Sequence, residues 1–330
     1  MRLSRVFGGG LAGIALAASI AYCCGGYGAE PLSIKTNRNI KNAIVRDGKL
    51  YMLSDTGEVL SMERGDVEVK SHGNLDIRPG SLFEVSGGKA LIAVQNRVYI
   101  ADLAKPGVVA VQTFPEPITG IGALDATKFF VLQKGQIRTI ETATGKPLEM
   151  ISLGKEKGKE PHALGAHARG NRIYVFAHSE EKQAILAIDW KKNQIENEYP
   201  MAATSLRPGS LTVEATDDTV FIGGIWYSYG IPMASVGTLD LASKKYVRAN
   251  VPTDFRGIRL VPGNPQRLSF VGEQAVYQMD ATATVTAKAL PKANGSMLAV
   301  WGRNAVFASN GALDIMPLNQ PATVKSANSN

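Results

Sequence analysis

Short apolar runs alternate with tight polar turns along most of the chain, and the pattern is clearest between residues 211 and 251. There the runs LTV and VFIGG flank the turn TDDT, and the runs VGTLDL and YVRANV flank the turn ASKK. Short runs rich in Val, Ile, Leu and Phe that are bounded by Gly, Asp and Asn are typical of β-strands joined by hairpin turns. This stretch therefore predicts a unit of four successive antiparallel strands.

The same unit recurs from one end of the chain to the other. Its second apolar run occurs seven times, with successive starts 38 to 48 residues apart, at Lys49, Lys89, Lys128, Arg172, Thr219, Arg267 and Ala305. A period in this range with four strands per unit is typical of β-propeller blades. The sequence therefore predicts an all-β fold over residues 30–318, a seven-bladed β-propeller with four antiparallel strands per blade.

The first and last units predict how the ring closes. The last unit supplies only three apolar runs, and Leu32–Lys35 is a short apolar run that no other unit uses. We expect this run to add the missing outer strand to the last blade, because an unpaired strand edge is a liability. Trp301 is expected in the core, and the polar residues 319–330 are expected to form a disordered tail.

The first 29 residues have the pattern of a signal peptide. Arg2 and Arg5 precede an uncharged apolar run from Val6 to Tyr22, and small residues follow before Glu30. This order predicts a secretory leader cleaved just before Glu30, and hence a periplasmic or secreted protein. Two alternatives remain, an uncleaved membrane anchor and a lipid anchor on Cys23 or Cys24. Membrane contact is expected only under these alternatives.

Composition narrows the possible partners. The formal net charge is +7, but the basic residues are scattered in turns such as Lys191-Lys192 and Lys244-Lys245. They do not form a run with interleaved aromatic residues, so no nucleic-acid partner is predicted. The protein is expected to be a monomer. Both cysteines lie in the leader region, so the mature chain is expected to contain neither disulfides nor a thiol nucleophile.

The third run of most units ends in an acidic residue before a polar turn, at Asp102, Glu141, Asp189, Asp240 and Asp280. The fullest version is ETATGKPLEM from Glu141, which resembles the repeats of the bacterial extracytoplasmic propellers related to YVTN-type and pyrroloquinoline-quinone proteins. The YVTN tetrapeptide is absent, and the blade-docking Trp of the quinone enzymes is either replaced here by Met150 or missing. The resemblance implies the fold, carries over no catalytic residue, and gives no reason to expect a cofactor.

In that family architecture, the loops entering first strands share one face with the loops joining second to third strands. Two of the entering loops are alike here, Arg78-Pro79-Gly80-Ser81 and Arg207-Pro208-Gly209-Ser210, and a third contains Arg256. Three converging guanidinium groups favour a small anionic ligand, with Ser81 and Ser210 beside them. The alternative is that each Arg pairs with a neighbouring loop and that Pro-Gly-Ser is only turn chemistry.

An aromatic segment, residues 223–233, is predicted to be the longest loop between second and third strands. It contains Trp226, Tyr227 and Tyr229 and is flanked by glycines. Wide, stiff aromatic side chains suit stacking on a ligand or anchoring a protein partner. The alternative is that the loop folds over the central channel and buries these side chains.

Four histidines are present, and only His162 and His178 are expected near this face, with Glu160, Glu180 and Glu181 near them. A metal or general-base site is one interpretation, but two exposed loop histidines explain the pattern as well, and no metal site is assigned. His162 and His167 are expected on opposite sides of a sheet because they are five residues apart. His162 is kept as a ligand-binding candidate.

These observations favour a binding or scaffold protein that holds a small anionic ligand or a protein partner at the loops of the channel mouth. The haem-attachment, nucleophile-elbow, zinc-protease and phosphate-loop motifs are absent from the sequence. The alternative is a propeller enzyme, a lyase, hydrolase or cofactor-dependent oxidoreductase, with its active site at the same mouth. A third interpretation is a subunit of an envelope complex that docks through the aromatic segment.

Overall fold

The structure is a computed structural model that describes residues 32–75, 77, 82–105, 107–154, 161–179, 182–201, 207–251, 258–260, 268–271, 275–279, 285–289, 296–309 and 311–317. For residues 207–210, 250 and the strands between 258 and 296, only the backbone is described. The predicted leader and the predicted tail lie outside the described residues.

The described strands form seven four-stranded antiparallel sheets. The first strand of the chain, β1 (Leu32–Lys35), belongs to the last of them. Sheet 1 contains β2 (Ile40–Arg46), β3 (Lys49–Ser54), β4 (Glu58–Met62) and β5 (Lys70–Asn74). Sheet 2 contains β6 (Leu82–Ser86), β7 (Lys89–Val94), β8 (Arg97–Asp102) and β9 (Val108–Thr113). Sheet 3 contains β10 (Gly120–Ala123), β11 (Lys128–Gln133), β12 (Gln136–Glu141) and β13 (Pro147–Ser152).

The remaining sheets follow the same order along the chain. Sheet 4 contains β14 (His162–Arg169), β15 (Arg172–His178), β16 (Gln183–Asp189) and β17 (Gln194–Pro200). Sheet 5 contains β18 (Arg207–Ala215), β19 (Thr219–Ser228), β20 (Ile231–Asp240) and β21 (Tyr246–Asn250). Sheet 6 contains β22 (Ile258–Leu260), β23 (Leu268–Val271), β24 (Ala275–Met279) and β25 (Val285–Ala289). Sheet 7 contains β26 (Ser296–Trp301), β27 (Asn304–Ser309) and β28 (Ala312–Pro317), with β1 paired to β28.

The first strand of each sheet lies against the first strand of the next, and β26 lies against β2. The first strands are therefore the inner strands, and the fourth strands form the outer edges. The prediction of an all-β fold built from four-stranded antiparallel units is confirmed. The pairing predicted for the N-terminal run is also found, with Leu32 opposite Ile315 and Ile34 opposite Leu313.

Predicted turn chemistry explains the hairpins that join first to second strands. Asp47 and Gly48 have φ angles of 51° and 76°, and Gly87 and Gly88 have φ angles of 53° and 73°. Two consecutive positive φ angles match the right-handed twist of the flanking strands, which is why Asp-Gly and Gly-Gly are favoured there.

The core lies between neighbouring sheets. Between sheets 2 and 3 the cluster contains Leu91, Val98, Ile100, Phe129 and Val131. Trp301, as predicted, is buried, and its Nε1 donates a hydrogen bond to the carbonyl oxygen of Gly48 at 2.7 Å, which ties sheet 7 to sheet 1. Sheets 1 to 4 each bury both faces against their neighbours, which explains the high apolar content of their second strands.

His72, in the outer strand β5, is buried in its neutral form. Its Nδ1 lies 2.6 Å from the carbonyl oxygen of Leu103, and its Nε2 lies 2.8 Å from Oγ of Ser61. Because a carbonyl oxygen can only accept, Nδ1 carries the proton and Nε2 accepts from the hydroxyl. Burial is the main cause that lowers the pKa of His72 below its ordinary value.

The lowered pKa predicts a loss of stability in mild acid. Below the unfolded-state pKa of about 6.5, the unfolded chain takes up a proton at this side chain before the folded protein does. The free energy of unfolding should therefore fall as the pH drops from about 6.5 towards the folded-state pKa. In His72→Gln, denaturant titrations across this range should show a shallower pH dependence. His162→Gln, at an exposed histidine, is the control, and an unchanged slope in His72→Gln would refute the assignment.

Candidate functional site

The loops predicted to share one face do lie together in three places. The backbone N–H of Asp55 donates to the carbonyl oxygen of Asn39, that of Gly135 to Pro161, and that of Asn37 to Gly311. Each bond joins a second-to-third-strand turn to a segment that leads into a first strand. This arrangement defines one face of the molecule, called here the entering-loop face.

The aromatic segment is an extended β-hairpin on this face. The prediction of a loop is wrong. β19 and β20 have ten residues each, while the second and third strands of the other sheets have four to seven. The register runs unbroken from Thr219 opposite Asp240 to Ser228 opposite Ile231. Glycines at 223 and 224 suggested a break in the strand, but both lie within β19. We call residues 225–234 the sheet 5 hairpin.

A two-residue turn closes the sheet 5 hairpin. Tyr229 and Gly230 have φ angles of 49° and 83°, the combination that a tight hairpin turn requires. Tyrosine is an uncommon residue at positive φ, because a side chain there crowds the backbone. The turn therefore holds an aromatic side chain at the tip of the hairpin at a conformational cost.

The base of the hairpin is fixed in the protein interior by Trp226. Its side chain is 2% exposed and meets the ring of Phe176 in sheet 4 edge to face, with centroids 5.7 Å apart. The guanidinium carbon of Arg248 lies 5.3 Å from the centroid of the same indole ring. Trp226 therefore offers no open surface to a ligand. Its Nε1 has no hydrogen-bond partner among the described residues.

The tip of the hairpin is exposed to solvent. Tyr229 is 97% exposed, Ile231 is 65% exposed and Tyr227 is 42% exposed. Of the two interpretations left open by the sequence, burial holds for Trp226, while Tyr227 and Tyr229 remain available for contact. The structure thus divides the aromatic residues into a buried anchor and an exposed tip.

The Arg-Pro-Gly-Ser copy at residues 207–210 is also not an entering loop. These residues are the start of β18, where Arg207 lies opposite Tyr227 and Pro208 opposite Trp226. A β-bulge between Pro208 and Leu211 accommodates the proline and glycine within the strand. Arg207 and Ser210 thus lie beside the base of the hairpin, and only their backbone is described. Arg78, Ser81 and Arg256 lie outside the described residues, so the convergence of the three arginines stays a prediction.

His162 and His178 are found together, but in strands and not in loops. They are register partners at the start of β14 and the end of β15, and His162 is exposed. The expected opposite facing of His162 and His167 is wrong, because a β-bulge between Ala163 and Gly165 adds one residue to the alternation. Glu160, Glu180 and Glu181 lie outside the described residues. In the described part of the chain, no three His, Cys, Asp or Glu side chains are grouped to hold a metal ion.

An open depression of about 970 Å³ lies on the entering-loop face where sheet 7 meets sheet 1. Lys35, Arg38, Asp55 and Glu58 contribute to its lining. The Arg38 guanidinium is paired with the Glu58 carboxylate, and Asn39 Nδ2 donates to Asp55 Oδ2 at 3.0 Å. The hydroxyl of Ser71, with Arg38, holds the pKa of Glu58 below its ordinary value against partial burial. These internal partners make the depression a weaker candidate than the hairpin tip.

Two side-chain contacts between inner strands were not predicted, an ion pair and a histidine–carboxylate contact. Arg46 binds the buried carboxylate of Glu84 through Nε at 2.9 Å and Nη2 at 2.6 Å, which joins sheets 1 and 2. His167 Nδ1 lies 3.1 Å from Oε2 of Glu214, which joins sheets 4 and 5. Burial acts to lower the pKa of Arg46, but attraction to Glu84 outweighs it and the pKa ends above its ordinary value. Glu84, His167 and Glu214 occupy the same position relative to the turn between the first and second strands of their repeats. Aligning the repeats on this turn would have revealed that position.

In the part of the chain that the structure describes, no helix has the length and hydrophobicity to cross a bilayer.

The likenesses to known proteins are confined to structure. The sequence matches no protein-family model and no curated protein. Hydrazine synthase of Kuenenia stuttgartiensis superposes with a TM-score of 0.64 at 12% identity, covering 86% of this chain and 97% of that one. The β-propeller domain of Cps50 (Swd1) from Myceliophteria thermophila gives a TM-score of 0.64 at 12% identity, with 87% and 99% covered. BamB from Moraxella catarrhalis gives a TM-score of 0.55 at 13% identity, with 86% and 84% covered. At these identities the likeness establishes one property of this chain, its β-propeller fold.

Proposed function

We propose that this chain is an extracytoplasmic β-propeller that binds a protein partner through the tip of the sheet 5 hairpin. In this proposal the seven sheets are the blades of one closed ring. The leader, residues 1–29, delivers the chain to the periplasm or the exterior, where it acts as a binding or scaffold module.

The exposed tip is the observation that carries this proposal. Tyr227, Tyr229 and Ile231 are large side chains with apolar surface at the end of a hairpin whose base is fixed by Trp226. Tyr227 and Ile231 belong to opposite faces of this hairpin, and Tyr229 lies in the turn between its strands. Tyrosine is enriched at the centres of protein interfaces because it buries a large, stiff surface and keeps one polar group. A rigid base reduces the entropy that binding has to overcome.

A protein partner fits the tip better than a small molecule does. Small-molecule sites are concave and surround most of the ligand, whereas a side chain that is 97% exposed has no walls around it. Arg207 lies opposite Tyr227 in the strand register, beside the base of the hairpin. The anionic preference inferred from the sequence is kept in this proposal, as carboxylates on the partner surface.

Removal of the tip side chains should abolish partner binding without unfolding the protein. In Tyr227→Ser/Tyr229→Ser/Ile231→Ser, the affinity for the partner co-purified from the native envelope should fall by about 100-fold or more, since interface anchors of this kind carry most of the binding energy. Titration calorimetry with the purified partner measures the change. The free energy of unfolding should shift little, because the three side chains are exposed in the free protein.

The matched control is Leu148→Ser/Met150→Ser on the outer strand β13, where two apolar side chains are similarly exposed. This variant should bind like the wild type. Wild-type affinity in the hairpin variant, or an equal loss in the β13 variant, would refute the proposed role of the tip.

A further inference from the structure

The depression between sheets 7 and 1, on the entering-loop face, is lined by polar side chains. Of the ten described residues that line it, eight have polar side chains, and the other two are Gly311 and Ala312. Most sites for small molecules are lined mainly by apolar side chains, which bury the apolar body of the ligand. No large apolar side chain belongs to the described lining of this depression, so the ligand that fits it is polar.

The charges of the lining cancel one another. Lys35 and Arg38 are cations, and Asp55 and Glu58 are carboxylates, so these four side chains have no net charge. An anion that approached the two cations would also meet the two carboxylates, and a cation would meet the reverse arrangement. The lining therefore favours an uncharged ligand over an ion of either sign.

The bonds within the lining leave part of its hydrogen-bonding capacity unused. Arg38 donates through Nε to Glu58 and through Nη1 to the carbonyl oxygen of Asn37, and a guanidinium has five N–H donors. Asn39 donates through Nδ2 to Oδ2 of Asp55 at 3.0 Å. Within the described residues, neither Oδ1 of Asn39 nor Oδ1 of Asp55 accepts a hydrogen bond. Donors and acceptors therefore remain available side by side.

The lining is held in shape by bonds from outside it. The backbone N–H groups of Thr36 and Asn37 both donate to the carbonyl oxygen of Gly311, at 2.7 and 3.0 Å. The hydroxyl of Thr36 donates to the carbonyl oxygen of Arg38 at 2.8 Å, and the hydroxyl of Ser71 donates to Oε1 of Glu58 at 2.6 Å. These bonds fix the segment between β1 and β2, which reduces the entropy that binding has to overcome.

We propose that this depression is a binding site for a neutral saccharide. A hydroxyl group donates one hydrogen bond and accepts two, so a sugar uses donors and acceptors that lie side by side. Neighbouring hydroxyls of a sugar ring suit the planar ends of Arg38, Asn39 and Asp55, each of which has at least two polar atoms in one plane. At about 970 Å³ the depression is as large as sites for small molecules usually become, so it has room for more than one sugar ring.

This site is independent of the partner proposed for the hairpin tip. It is built by sheets 7 and 1, whereas the hairpin belongs to sheet 5, and the two share no residue. Loss of saccharide binding therefore leaves the proposed role of the hairpin tip unchanged, and the reverse also holds.

Titration calorimetry with maltotriose, cellotriose and tri-N-acetylchitotriose tests the proposal. At least one of these neutral trisaccharides should bind the wild type, and inorganic phosphate should not. Arg38→Ala/Asp55→Ala removes one cation and one carboxylate and so keeps the net charge of the lining. It should raise the Kd for the trisaccharide by about tenfold or more, because hydrogen bonds to charged groups are lost. The matched control is Lys192→Ala/Glu196→Ala, which removes an exposed ion pair of sheet 4 and should bind like the wild type.

A second variant tests the charge balance. Asp55→Asn/Glu58→Gln keeps planar polar groups at both positions but leaves Lys35 and Arg38 uncompensated, so this variant should bind inorganic phosphate. Circular dichroism melts verify that each variant is folded. The proposal would be overturned if none of the three trisaccharides bound the wild type, if the wild type bound phosphate, or if Arg38→Ala/Asp55→Ala and the control had equal affinities. A failure of Asp55→Asn/Glu58→Gln to bind phosphate would contradict selection by charge balance.

Discussion

Replacing Gly87 with alanine should destabilise the protein severely, whereas the same replacement at the adjacent Gly88 should cost little. A Cβ atom at Gly87 would lie 1.9 Å from the carbonyl oxygen of Ala126 in sheet 3. A Cβ at Gly88 would meet no atom within 4 Å. Both residues have positive φ, so both alanines carry the same kind of backbone penalty, about 1 kcal/mol. The difference in the free energy of unfolding between the two variants therefore measures the cost of the clash between sheets 2 and 3.

The clash at Gly87 is not easily relieved, because the atom it meets belongs to a backbone turn that is itself held in place. The hydroxyl of Ser86 donates to the carbonyl oxygen of Asp125 at 2.5 Å, and the carboxylate of Asp125 accepts from the backbone N–H groups of Thr127 and Lys128. Relief requires sheets 2 and 3 to move apart. We expect Gly87→Ala to lower the free energy of unfolding by about 3 kcal/mol or more, as measured by denaturant titration. Equal costs for the two alanines would contradict this packing of sheet 2 on sheet 3.

Replacing Arg46 with methionine should have an effect of similar size. Glu84 has a side chain that is 5% exposed, and Arg46 is the cation that compensates its charge. The carboxylate also accepts hydrogen bonds from the backbone N–H of Val85 at 2.8 Å and of Ala123 at 3.3 Å, so it links three sheets. Without the guanidinium, a buried negative charge is left with two neutral donors. We expect a loss of about 3 kcal/mol in the free energy of unfolding, because removing one partner of a buried ion pair leaves the other charge buried and uncompensated.

Arg169→Met is the matched control for this prediction. Arg169 also binds a carboxylate of the neighbouring sheet through two nitrogen atoms, but its partner Asp217 has a side chain that is 81% exposed. Water solvates the carboxylate of Asp217 once the arginine is removed, so the cost should stay below about 1 kcal/mol. The double variant Arg46→Met/Glu84→Met should recover much of the stability lost in Arg46→Met, since no buried charge remains. A stability loss in Arg46→Met no larger than in Arg169→Met would contradict the structural role given to Glu84.

The strand order could be predicted from the sequence because local chemistry determines it in each repeat. Asp47-Gly48 and Gly87-Gly88 supply the positive φ angles that hairpins need, and they lie between runs of apolar residues. The pairing of Leu32–Lys35 with the last sheet was also predictable, because the last unit has one apolar run too few. The turns depend on residues that are adjacent in sequence, and the pairing follows from counting the apolar runs in each unit.

The hairpin was not predicted because its local signals indicate a loop. Glycines, prolines and aromatic residues around Gly223 and Pro208 are typical of turns, yet the strands continue through them. Pairing of β18, β19 and β20 with one another, together with the packing of Trp226 on Phe176, outweighs these local preferences. The ion pair between Arg46 and Glu84 was not predicted for another reason, since the two residues lie in different repeats and meet only when sheets pack side by side.

Site-specific photo-cross-linking in the native cell can show whether the tip of the sheet 5 hairpin contacts a partner there. A photoreactive phenylalanine analogue is placed at Tyr229, at the exposed tip of the hairpin, and at Ile195, an exposed position on the outer strand β17. We expect one discrete adduct with an envelope protein from position 229 and none from position 195. Absence of any adduct from position 229, or the same adduct from both positions, would contradict the claim that the sheet 5 hairpin is the binding surface of this propeller.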